Sequence, residues 1–112
     1  MKYVITGGAG HISGPITKAL LKAGHEVRVI GRNEDHLREV KAQGAETIIG
    51  TVEDAGFLSR AFAGADVVYT MIPPNFDTRD LKGYIAHVGK NYADAIRQNK
   101  IKFVLNKSYF ML

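Results

Sequence analysis

Apolar and polar residues along the chain follow two alternating spacings. Short runs rich in β-branched and aromatic residues predict strands, and apolar residues that recur every three or four positions predict amphipathic helices between them. We expect strands at residues 3–6, 26–30, 47–49, 66–72 and 102–105. We expect helices from about residue 12 to 23, over 34–42, around 57–62, and over about 81–96. The pattern therefore predicts strand and helix in strict alternation.

Glycine and proline mark the ends of these elements. Gly24, Gly44 and Gly64 follow the first three predicted helices, and Pro73-Pro74 follows the longest apolar strand. Alternating strands and helices are typical of βαβ units, whose right-handed crossovers build a parallel sheet with helices on both faces. The predicted fold class is α/β: a doubly wound, Rossmann-like parallel sheet of strand order 3-2-1-4-5 in three α/β/α layers, truncated after strand five.

The length and composition narrow the class of protein. A chain of 112 residues suits one domain, residues 1–112, and leaves no room for a second. The absence of cysteine excludes disulfides, thiolate zinc sites and cysteine nucleophiles. Neither a signal peptide nor an apolar run of roughly 18 residues, the length that would span a bilayer, is recognisable. We therefore expect a cytoplasmic protein without membrane contact.

The net charge is basic, at +4 with a pI of about 9.4. The basic residues are scattered along the chain and do not alternate with aromatic residues as in single-strand nucleic-acid binders. Nucleic acid is therefore a disfavoured partner. A small anionic ligand, such as a phosphate-bearing cofactor, accounts for the basic bias equally well.

The densest chemical signal is a glycine-rich turn between the first strand and the first helix. Gly7, Gly8 and Gly10 would allow a tight turn and close approach of a ligand to the backbone, with His11 and Ile12 leading into the helix. The helix N-terminus would then bind a pyrophosphate. Ser13 stands where the third glycine of the motif is expected. The turn predicts a dinucleotide site, and a purely structural turn is the alternative.

Arg32 indicates which dinucleotide is preferred. NAD-binding sites of this type place an acidic residue about 20 residues beyond the glycines, where it holds the ribose 2′-hydroxyl. Here the second strand is followed by Arg32, whose guanidinium would instead pair with a 2′-phosphate. The sequence therefore favours NADP over NAD, unless Arg32 is only a solvated surface residue.

Together these motifs resemble the NmrA-like, atypical short-chain dehydrogenase/reductase family, NAD(P)-binding proteins of which this chain would cover about the N-terminal half. The resemblance is carried by the segments 6–13, 50–54 and 65–68, with a basic residue after strand two. It implies that Thr51 and Val52 lie beside the adenine, although Thr51 replaces the aspartate usual in the family. It also implies that Met71, Ile72 and Pro73 line the ribose and nicotinamide side of the cofactor.

The catalytic residues are not identified by the sequence. Reductases of the wider family use a Tyr-x-x-x-Lys pair for proton transfer, and no tyrosine here is followed by lysine four residues later. Ser108 lacks a base to activate it, and the histidines lack metal-ligand spacing, so no metal site is predicted. Three functions stay open: an NADP-dependent oxidoreductase acting on a carbonyl or quinone-like substrate, a non-catalytic NADP sensor, and an inactive truncated remnant.

The last predicted strand would be an edge of the sheet. An unpaired edge is a template for pairing with another chain. The residues after it, 108–112, are mostly apolar. We therefore expect a homodimer, or another form of self-association, through this edge or through the apolar C-terminus.

Overall fold

The computed structural model describes residues 1–6, 13–71 and 79–107. The strands are β1 (Lys2–Thr6), β2 (Glu26–Gly31), β3 (Glu46–Ile49), β4 (Val67–Met71) and β5 (Phe103–Lys107). The helices are α1 (Ser13–Lys22), α2 (Glu34–Ala42), α3 (Ala55–Ala61) and α4 (Leu81–Gln98). Every predicted element is present, and the bounds of α2 are those predicted.

The strands form one parallel sheet in the order β3-β2-β1-β4-β5. This order confirms the doubly wound, Rossmann-like prediction. Strands β1 and β4 are neighbours in the sheet although they are far apart in the chain, and Val4 lies beside Val68 in their register. The chain therefore reverses its direction of winding between β1 and β4, which is where ligands bind in folds of this class.

Two apolar cores lie on opposite faces of the sheet. On one face, α3 and α4 bury a cluster centred on Phe62, Val68 and Val88, all of which are inaccessible to solvent. On the other face, α1 and α2 cover a cluster that includes Ile5 and Leu37. Because each inner strand contributes side chains to both cores, the sheet holds its carboxyl ends in a fixed relative position.

The helix ends follow the expected local chemistry. The side chains of Asn33, Asp54 and Asp80 accept hydrogen bonds from backbone N–H groups in the first turns of α2, α3 and α4. Gly24, Gly44 and Gly64 have positive φ angles, which confirms the predicted glycine stops. Among the described residues, no helix has the length and apolar character needed to cross a membrane.

Candidate functional site

The candidate site lies along the carboxyl edge of the parallel sheet. Thr6 ends β1 and Met71 ends β4, Arg32 directly follows β2, and Thr51 and Val52 follow β3. Parallel pairing brings these residues to the same edge of the sheet. The other predicted site residues lie outside the described residues: Gly7, Gly8, Gly10, His11, Ile12, Ile72 and Pro73.

A buried hydroxyl network joins the ends of β1 and β4. Thr6 Oγ1 donates to the Tyr69 carbonyl at 3.0 Å and accepts from the Met71 N–H at 3.1 Å. The Tyr92 hydroxyl, which comes from α4, lies 3.1 Å from Thr6 Oγ1 and also contacts the Met71 carbonyl. Its single proton is therefore placed between two acceptors. The network fixes the last residue of β1, from which the glycine-rich segment leads.

Tyr92 is placed to hold this network together. Its ring stacks on Phe62 at a centroid distance of 6.2 Å. Burial raises the pKa of Tyr92 to about 12, despite the opposing hydrogen bonds to Thr6 and to the Met71 backbone. A phenol with this pKa stays protonated at neutral pH, so Tyr92 acts as a structural donor.

The segment after β3 continues the sheet and then turns toward α4. The Gly50 N–H donates to the Gly31 carbonyl at 2.9 Å, which extends the β2–β3 pairing by one residue. A Cβ atom on Gly50 would lie 2.3 Å from the ring of Phe57. Glycine is therefore required here because the Phe57 ring packs directly over the backbone.

Replacing Gly50 with alanine is expected to lower the free energy of unfolding by about 1–2 kcal/mol, because the Phe57 ring must move to admit the methyl group. Urea unfolding followed by circular dichroism measures this change. Gly89→Ala in α4 is the matched control, since a Cβ there meets no atom within 4 Å. Equal stability of the Gly50 variant and wild type would contradict this account of the packing.

Two side chains of α4 bind carbonyl groups of the segment after β3. The Asn91 side-chain amide donates from Nδ2 to the Val52 carbonyl at 3.0 Å. His87 Nε2 lies 2.9 Å from the Glu53 carbonyl. The Val52 side chain is itself buried in the α3/α4 core. The backbone at positions 52 and 53 is therefore held on the side of α4.

Charged groups of both signs lie near Tyr84 at the start of α4. Burial raises the pKa of Tyr84, the Glu53 carboxylate raises it further, and the Arg32 guanidinium acts in the opposite direction. Arg32 and Glu53 are both exposed, one after β2 and the other after β3. Arg32 and Glu53 thus place opposite charges at this edge, and both lie close enough to Tyr84 to affect its pKa.

Sequence reasoning missed the contribution of α4 to this edge. The spacing of the histidines indicates no metal site, and Tyr92 belongs to the apolar stripe of the last predicted helix, but neither observation places His87, Asn91 or Tyr92 at this edge. A signal was nevertheless present. His87 and Asn91 are one helical turn apart and border the apolar stripe of Val88 and Tyr92, where polar side chains can reach neighbouring backbone.

Comparison with known proteins gives a family and a fold. The model of the NmrA-like family matches residues 2–111. Over 69 residues the chain is 36% identical to the 4-hydroxy-2-methyl-3-oxo-4-farnesyl-3,4-dihydroquinoline-1-oxide ketoreductase of Stigmatella aurantiaca, a stretch that covers 62% of this chain and 21% of the ketoreductase. The chain therefore spans about a fifth of the length of that relative.

Solved structures share the architecture. The Bordetella bronchiseptica enzyme WbmG, in complex with NAD, is 33% identical with a TM-score of 0.77, and the match covers 95% of this chain and 36% of WbmG. The Citrobacter sp. triphenylmethane reductase, complexed with NADP(H), has a TM-score of 0.79 at 22% identity, covering 95% of this chain and 36% of that one. Both solved structures hold a nicotinamide dinucleotide, and the fold of this chain is the one that they share.

Proposed function

Since the chain belongs to the NmrA-like family, we propose that residues 1–112 form one domain that binds a nicotinamide dinucleotide and prefers NADP(H). The observation that supports binding most directly is the shared carboxyl edge of β1 and β4, where the winding of the sheet reverses. Arg32, exposed at the end of β2, supports the preference for a 2′-phosphate. We extend the proposal to a cytoplasmic location.

The proposed site divides the cofactor among three parts of the edge. The glycine segment, with Gly7, Gly8, Gly10, His11 and Ile12, would bind the pyrophosphate. Thr51 and the backbone of Val52, whose side chain is buried, would contact the adenine, with Arg32 on the 2′-phosphate. The nicotinamide side would be lined by Met71, Ile72 and Pro73. The network of Thr6 and Tyr92 supports this division, because it fixes the end of β1 against the end of β4.

We propose that the protein is related in activity to NADP-dependent oxidoreductases that act on a carbonyl or quinone-like substrate. A bound NADPH would supply a hydride to the acceptor carbon, with a proton delivered to the acceptor oxygen. This chain's own residues would bind and orient the two molecules at the carboxyl edge. The ketoreductase relative from Stigmatella supports a carbonyl as the acceptor.

A non-catalytic NADP sensor is the second candidate. It is favoured by the placement of Tyr92, whose buried hydroxyl is bound to Thr6 and to the Met71 carbonyl. In this alternative, cofactor binding would be reported to a partner protein without turnover.

Calorimetric titration with NADPH, NADP⁺ and NAD⁺ tests the proposal. We expect binding of all three, with NADPH and NADP⁺ at least tenfold tighter than NAD⁺, which corresponds to about 1.4 kcal/mol. Loss of NADPH absorbance with a panel of ketones and quinones separates the enzyme from the sensor, which would bind without consuming it. Failure to bind any of the three nucleotides would exclude both candidates.

Self-association through β5 is the proposed oligomeric contact. β5 pairs only with β4 in the described sheet, and Phe103 and Leu105 are each more than half exposed on the face that carries α1 and α2. Sedimentation equilibrium is expected to show a dimer that Leu105→Lys weakens at least tenfold. Ile49→Lys on β3, the opposite edge, is the matched control, since Ile49 is similarly exposed. A monomeric wild type, or equal weakening by both variants, would contradict the assignment.

A further inference from the structure

We propose that His87 and Asn91 are positioning residues for the adenosine half of the dinucleotide. They hold the backbone of residues 51–53, which lies at the carboxyl edge beside Arg32. The inference rests on the proposed function, because it assumes that a dinucleotide binds at this edge. It adds that α4, which is remote in sequence from residues 51–53, determines the shape of the adenosine site.

The contacts of Val52 show why this segment needs an external support. Residues 50–54 lie between β3 and α3, outside both elements. The Val52 side chain is 5% exposed, and its carbonyl accepts from Asn91, a residue that is itself 4% exposed. With side chain and carbonyl both fixed inward, the neighbouring residues Thr51 and Glu53 are left at the edge. A buried carbonyl without its donor costs about 1–3 kcal/mol, so the segment would rearrange if Asn91 were removed.

His87 makes a second bond to the same segment. The 2.9 Å separation between His87 Nε2 and the Glu53 carbonyl requires a proton on Nε2, because a carbonyl oxygen only accepts. Asn91 Nδ2 lies farther from the same ring nitrogen, at 3.4 Å. The two α4 side chains, one turn apart, therefore bind two consecutive carbonyls of residues 52 and 53.

The backbone conformation of residues 51–53 also sets the positions of the Thr51 hydroxyl and the Glu53 carboxylate. Thr51 Oγ1 accepts from the Glu53 N–H at 3.2 Å and lies 3.4 Å from a carboxylate oxygen of Glu53. A carboxylate oxygen that is aligned by a neighbouring hydroxyl can accept from an amine or a hydroxyl group of adenosine. Thr51 and Glu53 keep this arrangement only while the carbonyls of residues 52 and 53 stay bonded to the side chains of α4.

Asn99 provides a matched control at the other end of the same helix. Its Nδ2 donates to the Ser59 carbonyl at 2.9 Å, so it also joins α4 to a backbone carbonyl distant in sequence. Asn99 is the C-cap of α4, whereas Tyr84, the residue of α4 that Arg32 influences, lies in its first turn. Asn91→Ala and Asn99→Ala should both reduce stability, and only Asn91→Ala should change nucleotide affinity.

The test is calorimetric titration of the full chain with NADP⁺ and with 2′,5′-ADP, which represents the adenosine half alone. We expect Asn91→Ala to raise the Kd of both probes about tenfold, and Asn99→Ala to leave both within twofold of wild type. His87→Ala is expected to raise both Kd values about fivefold, and His87→Gln to recover most of the loss, because its amide can donate to the same carbonyl. Urea unfolding measures stability in parallel.

The outcomes separate this inference from the function on which it rests. If wild type binds neither probe, the proposed function fails and the inference fails with it. If wild type binds both and Asn91→Ala behaves like Asn99→Ala, the function stands and the positioning role is wrong. Because the His87 side chain is exposed, His87→Ala should fold even if Asn91→Ala does not. Unchanged affinity in folded His87→Ala would then overturn the proposal.

Discussion

Charge reversal at Arg32, by Arg32→Glu, is expected to raise the Kd for NADP⁺ about 100-fold and to leave the Kd for NAD⁺ within about threefold. Each hydrogen bond between a guanidinium and a phosphate contributes roughly 1.5–3 kcal/mol, and a carboxylate in its place would repel the 2′-phosphate. A 100-fold change corresponds to about 2.7 kcal/mol, which lies within that range. Calorimetry at fixed ionic strength measures both constants.

The matched control for this experiment is Arg97→Glu. It makes the same change of net charge near the last turn of α4, where Arg97 pairs with Asp94 on the surface. Arg97 lies thirteen positions beyond Tyr84, the residue of α4 that Arg32 influences, or roughly 20 Å along the helix at 1.5 Å per residue. That distance exceeds the Debye length of about 8 Å at physiological salt. If both variants lost NADP⁺ affinity equally, Arg32 would act only through net charge and its proposed contact would be wrong.

Removing the hydroxyl of Tyr92, by Tyr92→Phe, is expected to lower the free energy of unfolding by about 2–3 kcal/mol. The ring and its stacking on Phe62 would remain, but the Met71 carbonyl and Thr6 Oγ1 would lose a buried partner. Urea unfolding at pH 7 measures the change. Tyr3→Phe is a suitable control, because the described contact of Tyr3 is made through its ring, to His25.

The effect of Tyr92→Phe on the free energy of unfolding should also depend on pH in the alkaline range. Tyr92 has a pKa of about 12 in the fold against 10 for a free phenol, so the unfolded chain releases this proton first as the pH rises. The stability that Tyr92 contributes through this pKa shift is fully present below pH 10. It falls by about 1.4 kcal/mol for each pH unit between the two pKa values of Tyr92. The difference between wild type and Tyr92→Phe should therefore stay constant up to about pH 10 and narrow between pH 10 and about pH 12. A difference that stays constant would show that Tyr92 does not titrate this way.

The fold was predictable because its signals are local. Asn33 caps the start of α2, Leu37 and Val40 form its buried apolar pair, and Gly44 follows its end. The helix has the predicted bounds, residues 34–42. Strand order followed from the alternation of elements and the handedness of their crossovers. The positions of Arg32 and Met71 at a common edge followed in turn, because each ends or follows a parallel strand.

The contacts that shape the site were not predictable, because they join residues far apart in the chain. Tyr92 and Thr6 are 86 residues apart, and Asn91 and Val52 are 39 residues apart. Nothing in the residues adjacent to Tyr92 shows that its hydroxyl meets the end of β1. The roles assigned to the glycine segment and to Pro73 stay predictions, since those residues lie outside the described part of the chain.

Helix α4 contacts both ends of the proposed cofactor site. Tyr92 supports the junction of β1 and β4, and one turn of helix that includes His87 and Asn91 supports the backbone after β3. Helix α4 leads into β5. Nucleotide binding at the proposed site that orders either part is therefore expected to slow amide exchange in α4 and in β5.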